Sequence, residues 1–156
     1  NLIMKQRVYI DTSVVGGYFD DEFADGTIPF FELIDDGKIN IIVSDLLNAE
    51  LNRAPDFVKN LLKDINEKHI ERIELDEEAS ILADKYIDAK VVGKTSRADC
   101  QHIAMATISK ADVLVSWNFK HIVNLEKIRG YNGINYQNGY KMIEIRTPKE
   151  ILNYED

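Results

Sequence analysis

The stretch Arg7-Val8-Tyr9-Ile10-Asp11-Thr12-Ser13 determines how the rest of the sequence can be interpreted. Its first four residues are rich in β-formers and predict a short strand. Asp11 follows at once, and a carboxylate that ends a buried apolar strand is costly to keep ionised without a partner. Asp11 is therefore the leading candidate for a functional group. An equally good alternative is that it caps a helical segment over residues 12–18, since Asp favours that position.

Strands and helices alternate along the remaining sequence. Further strands are predicted at residues 39–43, 70–75, 112–116 and 142–145. Helices are predicted at residues 27–36, from Ser44, from Pro55, from Asp76, at 97–110, 122–129 and 148–153. The three prolines, Pro29, Pro55 and Pro148, each suit a helix start, and Gly37 suits a helix end. This alternation predicts an α/β fold with a central, mainly parallel sheet flanked by helices.

Length and composition indicate one globular domain over residues 1–156. Residues 1–4 precede or include a candidate start at Met4, so they are interpreted as a leader or a cloning remnant. No apolar run approaches the ~18 residues that a membrane span needs. A single cysteine, Cys100, excludes an internal disulfide framework and a Cys-rich zinc site. We expect a cytoplasmic protein without a membrane partner.

The charge is distributed unevenly. Residues 1–78 hold 18 acidic and 8 basic residues, for a net charge of −10, whereas residues 79–156 hold 9 and 11, for +2. The overall charge of −8 argues against nonspecific duplex binding, which depends on a basic surface. It is compatible with a nucleic-acid substrate held through cations, and with a basic protein partner.

Ligands of open α/β sheets bind outside the carboxyl ends of the strands. Asp11, Ser116 and Asn118 follow predicted strands there, and Glu50 and Asp99 lie early in helices. Each acid also has a plain structural interpretation. Glu50 borders an apolar stripe and suits an exposed or edge-of-core position. Asp99, in a first helical turn, suits the helix dipole.

Together the three carboxylates suggest a metal site. Mg²⁺ and Mn²⁺ prefer oxygen ligands, and such a site could activate water and neutralise a scissile phosphate. His102 follows Asp99 by one helical turn and therefore shares its face. A histidine there is more often a hydrogen-bonded structural residue than a metal ligand.

Four segments, in this order, match a known family. They are Val8-Tyr9-Ile10-Asp11-Thr12-Ser13, Ser44-Asp45-Leu46-Leu47-Asn48-Ala49-Glu50-Leu51, Ala98-Asp99-Cys100-Gln101-His102-Ile103-Ala104-Met105-Ala106 and Val113-Leu114-Val115-Ser116-Trp117-Asn118-Phe119. On these segments the chain resembles PIN-domain ribonucleases, most closely the VapC-type toxins of type II toxin–antitoxin systems. The resemblance covers residues ~8 to 125 and implies the PIN-like three-layer fold.

The resemblance implies a divalent-metal-dependent endoribonuclease that hydrolyses single-stranded RNA with Mg²⁺ or Mn²⁺. It implies that Asp11, Glu50 and Asp99 are the acidic metal ligands. Ser13 and Ser116 then correspond to hydroxyl residues that hold the acidic cluster by hydrogen bonds. It also implies a homodimer and a basic or amphipathic antitoxin partner.

Asn118 departs from the family pattern, because a fourth acid usually stands two residues after the second hydroxyl. An amide oxygen can still bind a hard cation, directly or through water, but it supplies neither charge nor a base. Metal binding should therefore be weaker than with four carboxylates. The sequence therefore favours a site for one metal ion over a tight two-metal site. His102 and the stretch from Trp117 to His121 depart from common family patterns too.

Residues beside the third and fourth motifs are candidates for substrate binding. The basic set is Lys94, Arg97, Lys120 and His121, whose alternative role is solvated surface. Tyr18, Phe19 and Trp117 could stack on unpaired bases, although core packing is the more ordinary role for Phe19.

The sequence leaves three other function classes to weigh against a ribonuclease. A degenerate, non-catalytic PIN-like module that binds RNA or protein is favoured by Asn118. A phosphotransferase with Asp11 as nucleophile would resemble haloacid-dehalogenase-like enzymes, which need a second Asp where Ser13 stands. A signalling receiver domain needs a different order of acids along the chain.

Overall fold

The structure, a computed structural model, describes residues 5–152. Five strands form one sheet: β1 (Gln6–Ile10), β2 (Ile39–Ser44), β3 (Ile70–Ile73), β4 (Val113–Val115) and β5 (Ile145–Arg146). Their order across the sheet is β3–β2–β1–β4–β5, and every neighbouring pair is parallel. Helices cover both faces of this sheet, which confirms the predicted three-layer α/β fold.

The α-helices connect these strands. They are α1 (Thr12–Gly17), α2 (Ala24–Asp35), α3 (Asp45–Leu51), α4 (Asp56–Lys63), α5 (Glu77–Asp88), α6 (Arg97–Ile108), α7 (Leu125–Gln137) and α8 (Pro148–Leu152). Short 3₁₀ helices occur at Glu67–His69 and Lys94–Ser96. Within residues 5–152, no helix is long and apolar enough to cross a membrane.

Several predicted helix boundaries are confirmed by their caps. The Ser44 hydroxyl accepts a bond from the Leu47 N–H at 3.1 Å, and Asp76 accepts one from the Ala79 N–H at 2.9 Å. Gly37 follows α2 with φ +72°, a left-handed conformation that glycine adopts without a steric penalty. The Ser44 and Asp76 caps satisfy N–H groups that a helix start would otherwise leave unpaired.

Alternation along the central strands builds two separate cores. Val8 and Ile10 point towards α1, α2, α4 and α8, whereas Tyr9 points towards α5, α6 and α7. Successive side chains of a strand face opposite sides of the sheet, so one strand serves both cores. Cys100 of α6 is fully buried in the second core, and this burial raises its pKa to about 12.

The order of the strands sets the position of the functional edge. From β1 the chain passes outward through β2 to β3, and it then returns to place β4 on the other side of β1. A reversal of this kind opens a crevice outside the carboxyl ends of the two strands that flank it. The crevice lies where Asp11 leaves β1 and Ser116 leaves β4.

The C-terminal third departs from the predicted boundaries. The helix predicted at residues 122–129 begins instead at Leu125, after an Asn124 cap, and continues to Gln137. Gly130 and Gly133 argue against this extension, but burial of Tyr131 and Asn135 outweighs their low helix propensity. The strand predicted at 142–145 is wrong in its bounds, because β5 contains only Ile145 and Arg146. The last helix ends at Leu152, and Asn153 lies outside the described residues.

The prediction that Pro29 starts a helix is wrong, because α2 begins five residues earlier. The additional turn packs against Trp117. The Thr27 hydroxyl accepts a bond from Trp117 Nε1 at 2.8 Å and donates to the Phe23 carbonyl at 2.7 Å. These tertiary contacts stabilise helical residues before the proline, which a propensity argument cannot anticipate.

Gly17→Ala is expected to destabilise the fold by about 1–3 kcal/mol, because a Cβ there would lie 2.7 Å from Cδ1 of Trp117 and 2.9 Å from Oγ1 of Thr27. Gly16→Ala is the matched control in the same helix, since its Cβ meets nothing within 4 Å. Urea unfolding measures both. Equal stabilities of the two variants would contradict close packing of the indole on α1.

Candidate active site

Strand register brings Asp11 and Ser116 together. Ile10 of β1 pairs with Val115 of β4, so the two residues that follow lie side by side. Ser116 donates from Oγ to Oδ2 of Asp11 at 2.6 Å, and Ser13 donates from Oγ to Oδ1 at 2.6 Å. The Asp11 carboxylate is only 4% exposed. Its two oxygens are thus held by hydroxyl groups from two different segments.

Asp11 stands at the N-cap position of α1, but its side chain makes no capping bond. The alternative interpretation is therefore confirmed for the N-cap position of Asp11, although its carboxylate is held chiefly by Ser13 and Ser116. Burial raises the pKa of Asp11, and the nearby His102 imidazole and the hydroxyl bonds offset part of this effect. His102, the two hydroxyl groups and the Val14 N–H therefore compensate the buried charge only in part, since burial has the larger effect on the pKa of Asp11.

Glu50 lies near the end of α3 with its side chain one-third exposed. Its Oε1 accepts a bond from Thr12 Oγ1 at 2.7 Å and lies 2.6 Å from Nε2 of His102. Burial alone would raise the pKa of Glu50, but the bond and charge of His102 and the bond from Thr12 together lower it. Glu50 is therefore attached both to the residue after Asp11 and to α6.

His102 occupies the centre of the acidic cluster and is 2% exposed. Its Nδ1 lies 2.6 Å from the hydroxyl of Tyr9, which lies 3.0 Å from Oγ of Ser44. Both ring nitrogens thus have partners, which agrees with the interpretation of His102 as a hydrogen-bonded residue. The same imidazole influences the pKa of all three carboxyl groups, at Asp11, Glu50 and Asp99. The three carboxyl groups are therefore within electrostatic reach of one side chain, and Glu50 contacts it directly.

Asp99 lies in the first turn of α6, one helical turn before His102. Burial raises the pKa of Asp99. His121, His102 and the Asn118 amide lower it, whereas the negative charge of Glu50 raises it further. The repulsion from Glu50 places the second and third carboxyl groups within electrostatic reach of each other. Sequence spacing alone could not establish that proximity.

The side-chain oxygen of Asn118, which we expected to bind a cation, forms a hydrogen bond within the protein. Its Oδ1 accepts a bond from the His121 N–H at 3.0 Å and so closes the turn after β4. Its main-chain N–H donates to Ser116 Oγ at 2.9 Å. The side-chain amide interacts with Asp99. A catalytic role for Asn118 stays a prediction.

The four basic candidates lie in different surroundings. Arg97 forms an ion pair with Asp84, and Lys94 and Lys120 are exposed. His121 lies close enough to Asp99 to lower the pKa of that carboxyl, and its buried Nδ1 has no hydrogen-bond partner among residues 5–152. Binding of substrate by these side chains stays a prediction, with His121 nearest to the acidic cluster.

The donor chemistry of the cluster suits a hard cation, although its geometry is not preset for one. Carboxylate oxygens of Asp11, Glu50 and Asp99 are the ligand type that Mg²⁺ and Mn²⁺ prefer. Both bonds to Glu50 end on Oε1. Among residues 5–152, however, no three His, Cys, Asp or Glu side chains are arranged as a ready-made metal site. A bound ion would have to draw these groups together.

Three residues of the site were not predicted from the sequence. Thr12 bonds Glu50, Tyr9 bonds His102, and Phe23 stacks on Trp117 with ring centroids 4.6 Å apart. Tyr9 carried a usable signal, because a tyrosine inside an apolar strand needs a buried partner for its hydroxyl. Thr12 and Phe23 carried none, since their contacts depend on segments far away in sequence.

Comparisons with known proteins identify the fold. No family model matches the chain, and no curated protein matches it. The solved structures that are similar to it include VapBC2 from Rickettsia felis bound to a promoter DNA fragment and FitAcB from Neisseria gonorrhoeae. VapBC2 matches with a TM-score of 0.52 and 18% identity, over 74% of this chain and 90% of that one. FitAcB matches with a TM-score of 0.55 and 12% identity, over 90% and 97%.

Both of these structures are PIN-domain toxin–antitoxin complexes, and the chain has their PIN-like fold. A tyrosyl-tRNA synthetase from Aeropyrum pernix is also similar, with a TM-score of 0.50 and 9% identity, over 92% of this chain and 52% of that one. Because similar folds occur in proteins of different activity, the function must be argued from the site.

Asp11→Asn is expected to raise the stability of the metal-free protein at neutral pH, because the variant buries no charge at this position. The pKa of Asp11 is higher in the folded than in the unfolded chain, so folding takes up a proton between the two values. Wild-type stability therefore falls as the pH rises from about 3.9, the ordinary Asp pKa, through the raised pKa.

The free energy of unfolding of Asp11→Asn should accordingly exceed that of the wild type by more as the pH rises, and the difference should disappear below about pH 4. Urea unfolding at several pH values measures it, with the exposed Asp21→Asn as control. An advantage of Asp11→Asn that shrinks as the pH rises would contradict the burial of a carboxylate whose charge is only partly compensated.

Proposed function

We propose, from the PIN-like fold and its acidic cluster, that the chain is a divalent-metal-dependent endoribonuclease that hydrolyses single-stranded RNA. The observation that carries this proposal is the placement of acids from three segments near the carboxyl ends of the central strands. Ser116 bonds Asp11 there, Glu50 lies 2.6 Å from Nε2 of His102, and Asp99 precedes His102 by one helical turn. Three neighbouring acids from separate segments repel one another and so lower the stability of the fold. Their presence therefore favours a functional site that binds a cation and a phosphate. The chain is accordingly classed as a hydrolase.

Asp11, Glu50 and Asp99 would hold Mg²⁺ or Mn²⁺. When bound, the cation would lower the pKa of water and offset charge on the scissile phosphate. Ser13 and Ser116 keep the Asp11 carboxylate in one orientation through their two bonds of 2.6 Å. Because Glu50 is engaged by His102 in the absence of an ion, we expect cation binding in the millimolar range.

The remaining side chains would orient the substrate. Asn118 holds the turn that carries His121 towards Asp99, and His121 is the nearest candidate for a contact to phosphate oxygens. Lys94, Arg97 and Lys120 would add positive charge around an otherwise acidic site. The exposure of Lys94 and Lys120 supports this role, whereas Arg97 would first have to leave Asp84.

We further propose that the chain acts as the toxin of a toxin–antitoxin pair in the cytoplasm. The similar structures VapBC2 and FitAcB are complexes of this kind, which supports an antitoxin partner here. The acidic first half of the sequence suits a basic partner segment. A homodimer is part of the same proposal, and sedimentation of the purified chain would test it.

Asp99→Asn is expected to lower Mn²⁺-dependent cleavage of single-stranded RNA by about 10²-fold or more, since the variant loses a charge that holds the cation. The exposed Asp88→Asn is the matched control and should cleave as the wild type does. A fluorescently labelled oligonucleotide resolved on a denaturing gel measures both. Cleavage undiminished by Asp99→Asn would reveal a contaminating nuclease and remove the support for this site.

A non-catalytic RNA- or protein-binding module is the second candidate function. It is favoured by Asn118 in place of an acid and by the absence of a ready-made metal site among the described side chains. Isothermal calorimetry separates the two functions. The ribonuclease should bind Mn²⁺ at millimolar concentration, and Asp11→Asn should abolish that heat. RNA binding with no detectable Mn²⁺ binding would favour the module.

A further inference from the structure

We propose that Phe119, held against Trp117 and Phe23, is a stacking site for one unpaired base of the RNA whose phosphate occupies the acidic cluster. These three aromatic residues are called the aromatic platform below. The inference rests on the proposed function and goes beyond it, because it assigns the contact that selects unpaired RNA. It is carried by the connection of the platform to Asp11, by its rigidity and by its exposure.

Two consecutive hydrogen bonds connect the platform to the acidic cluster. The main-chain N–H of Trp117 donates to Ser13 Oγ at 2.8 Å, and Ser13 donates to Asp11 at 2.6 Å. Trp117 also directly follows Ser116, the second hydroxyl partner of Asp11. A base stacked on the platform would thus be attached to a backbone that passes the acidic cluster, where a bound cation would receive the neighbouring phosphate.

The indole of Trp117 is fixed on several sides. Its Nε1 donates to Thr27 Oγ1 at 2.8 Å. A Cβ at Gly17 would lie 2.7 Å from the ring, and one at Gly26 would lie 3.0 Å from it, so both glycines make room for the indole. Phe23 stacks on it with an interplanar angle of 21°. The indole is therefore a rigid support that needs no rearrangement on binding.

Phe119 is the accessible member of the platform. Its side chain is 49% exposed, and its ring centroid lies 6.2 Å from those of both Phe23 and Trp117. Lys120 follows it and is exposed. An aromatic face beside a cation is the combination that single-strand binding sites use, and it is tolerant of base identity because every base has a π-face.

A second exposed aromatic pair lacks these properties. Phe19 and Phe57 are in contact, with ring centroids 4.9 Å apart, and both are exposed. None of the hydrogen bonds described joins the main chain of Phe19 or Phe57 to Asp11, Ser13 or Ser116, as the bond from the Trp117 N–H does. The aromatic platform is therefore the better candidate for a base that accompanies the scissile phosphate.

Trp117 is the only tryptophan of the chain, so its fluorescence reports directly on the platform. The parent for binding experiments is Asp99→Asn, which should leave the RNA uncut during a titration. We expect a short single-stranded RNA to quench Trp117, and the same sequence as a duplex to bind more weakly. Adding Phe119→Ala should weaken single-strand affinity about 5- to 150-fold, the equivalent of ~1–3 kcal/mol for one stacked base.

Two further variants separate stacking from packing. Phe119→Tyr keeps an aromatic face and should retain affinity, whereas Phe119→Leu keeps apolar bulk and should lose it. In a set of oligonucleotides that each lack the base at one position, one should bind the Asp99→Asn parent more weakly than the intact oligonucleotide does. The same abasic oligonucleotide should bind Phe119→Ala with no further loss of affinity. Tyr136→Ala, which removes an 81% exposed ring from α7, is the matched control and should bind as the parent does.

The outcomes distinguish this inference from the proposed function. In wild-type background, Phe119→Ala should raise KM for cleavage by the same factor and leave kcat nearly unchanged. If the wild type cleaves RNA but Phe119→Ala, like Tyr136→Ala, leaves KM and affinity unchanged, the platform is refuted and the ribonuclease stands. Equal affinity for single strand and duplex also refutes it. If the wild type neither binds nor cleaves RNA, both proposals fall.

Discussion

The parallel pairing of β1 with β4 is the constraint on which the rest of the site depends. It sets Ile10 opposite Val115, and the two hydroxyl groups that hold Asp11 are available only in that register. A slip of one residue would turn Ser116 to the other face of the sheet and leave a desolvated carboxylate without a donor. The packing of apolar side chains and the hydrogen bonds to Asp11 therefore favour the same strand register. Other registers of β1 and β4 are disfavoured on both grounds.

The acidic cluster is arranged at a cost to stability. Burial raises the pKa of both Asp11 and Asp99, and hydroxyl, amide and imidazole groups provide most of the compensation. His102 links the cluster to the core through Tyr9, so the position of Glu50 depends on a side chain within the sheet. Such clusters of partly compensated acids are typical of functional sites, where a ligand supplies the missing charge.

The sequence was sufficient for the elements whose signals are local. The strand from Arg7 to Ile10, the caps at Ser44 and Asp76 and the end of a helix at Gly37 follow from periodicity and backbone chemistry. Prediction failed where tertiary packing outweighs propensity, as in α2 before Pro29 and in α7 beyond Gly130. In the site, strand ends indicated Asp11 and Ser116. The contact of Glu50 with His102 depends on the relative placement of two helices, which spacing does not encode.

The burial of Cys100 has a consequence for the dynamics of the site. This thiol lies in α6 between Asp99 and the turn that carries His102, it is fully buried, and its pKa is raised to about 12. A disulfide reagent can modify it only after α6 separates from the sheet, because the thiolate is the reactive form and needs access. Since the sequence contains no other cysteine, the rate of labelling would measure how often the helix with two of the site's ionisable groups opens.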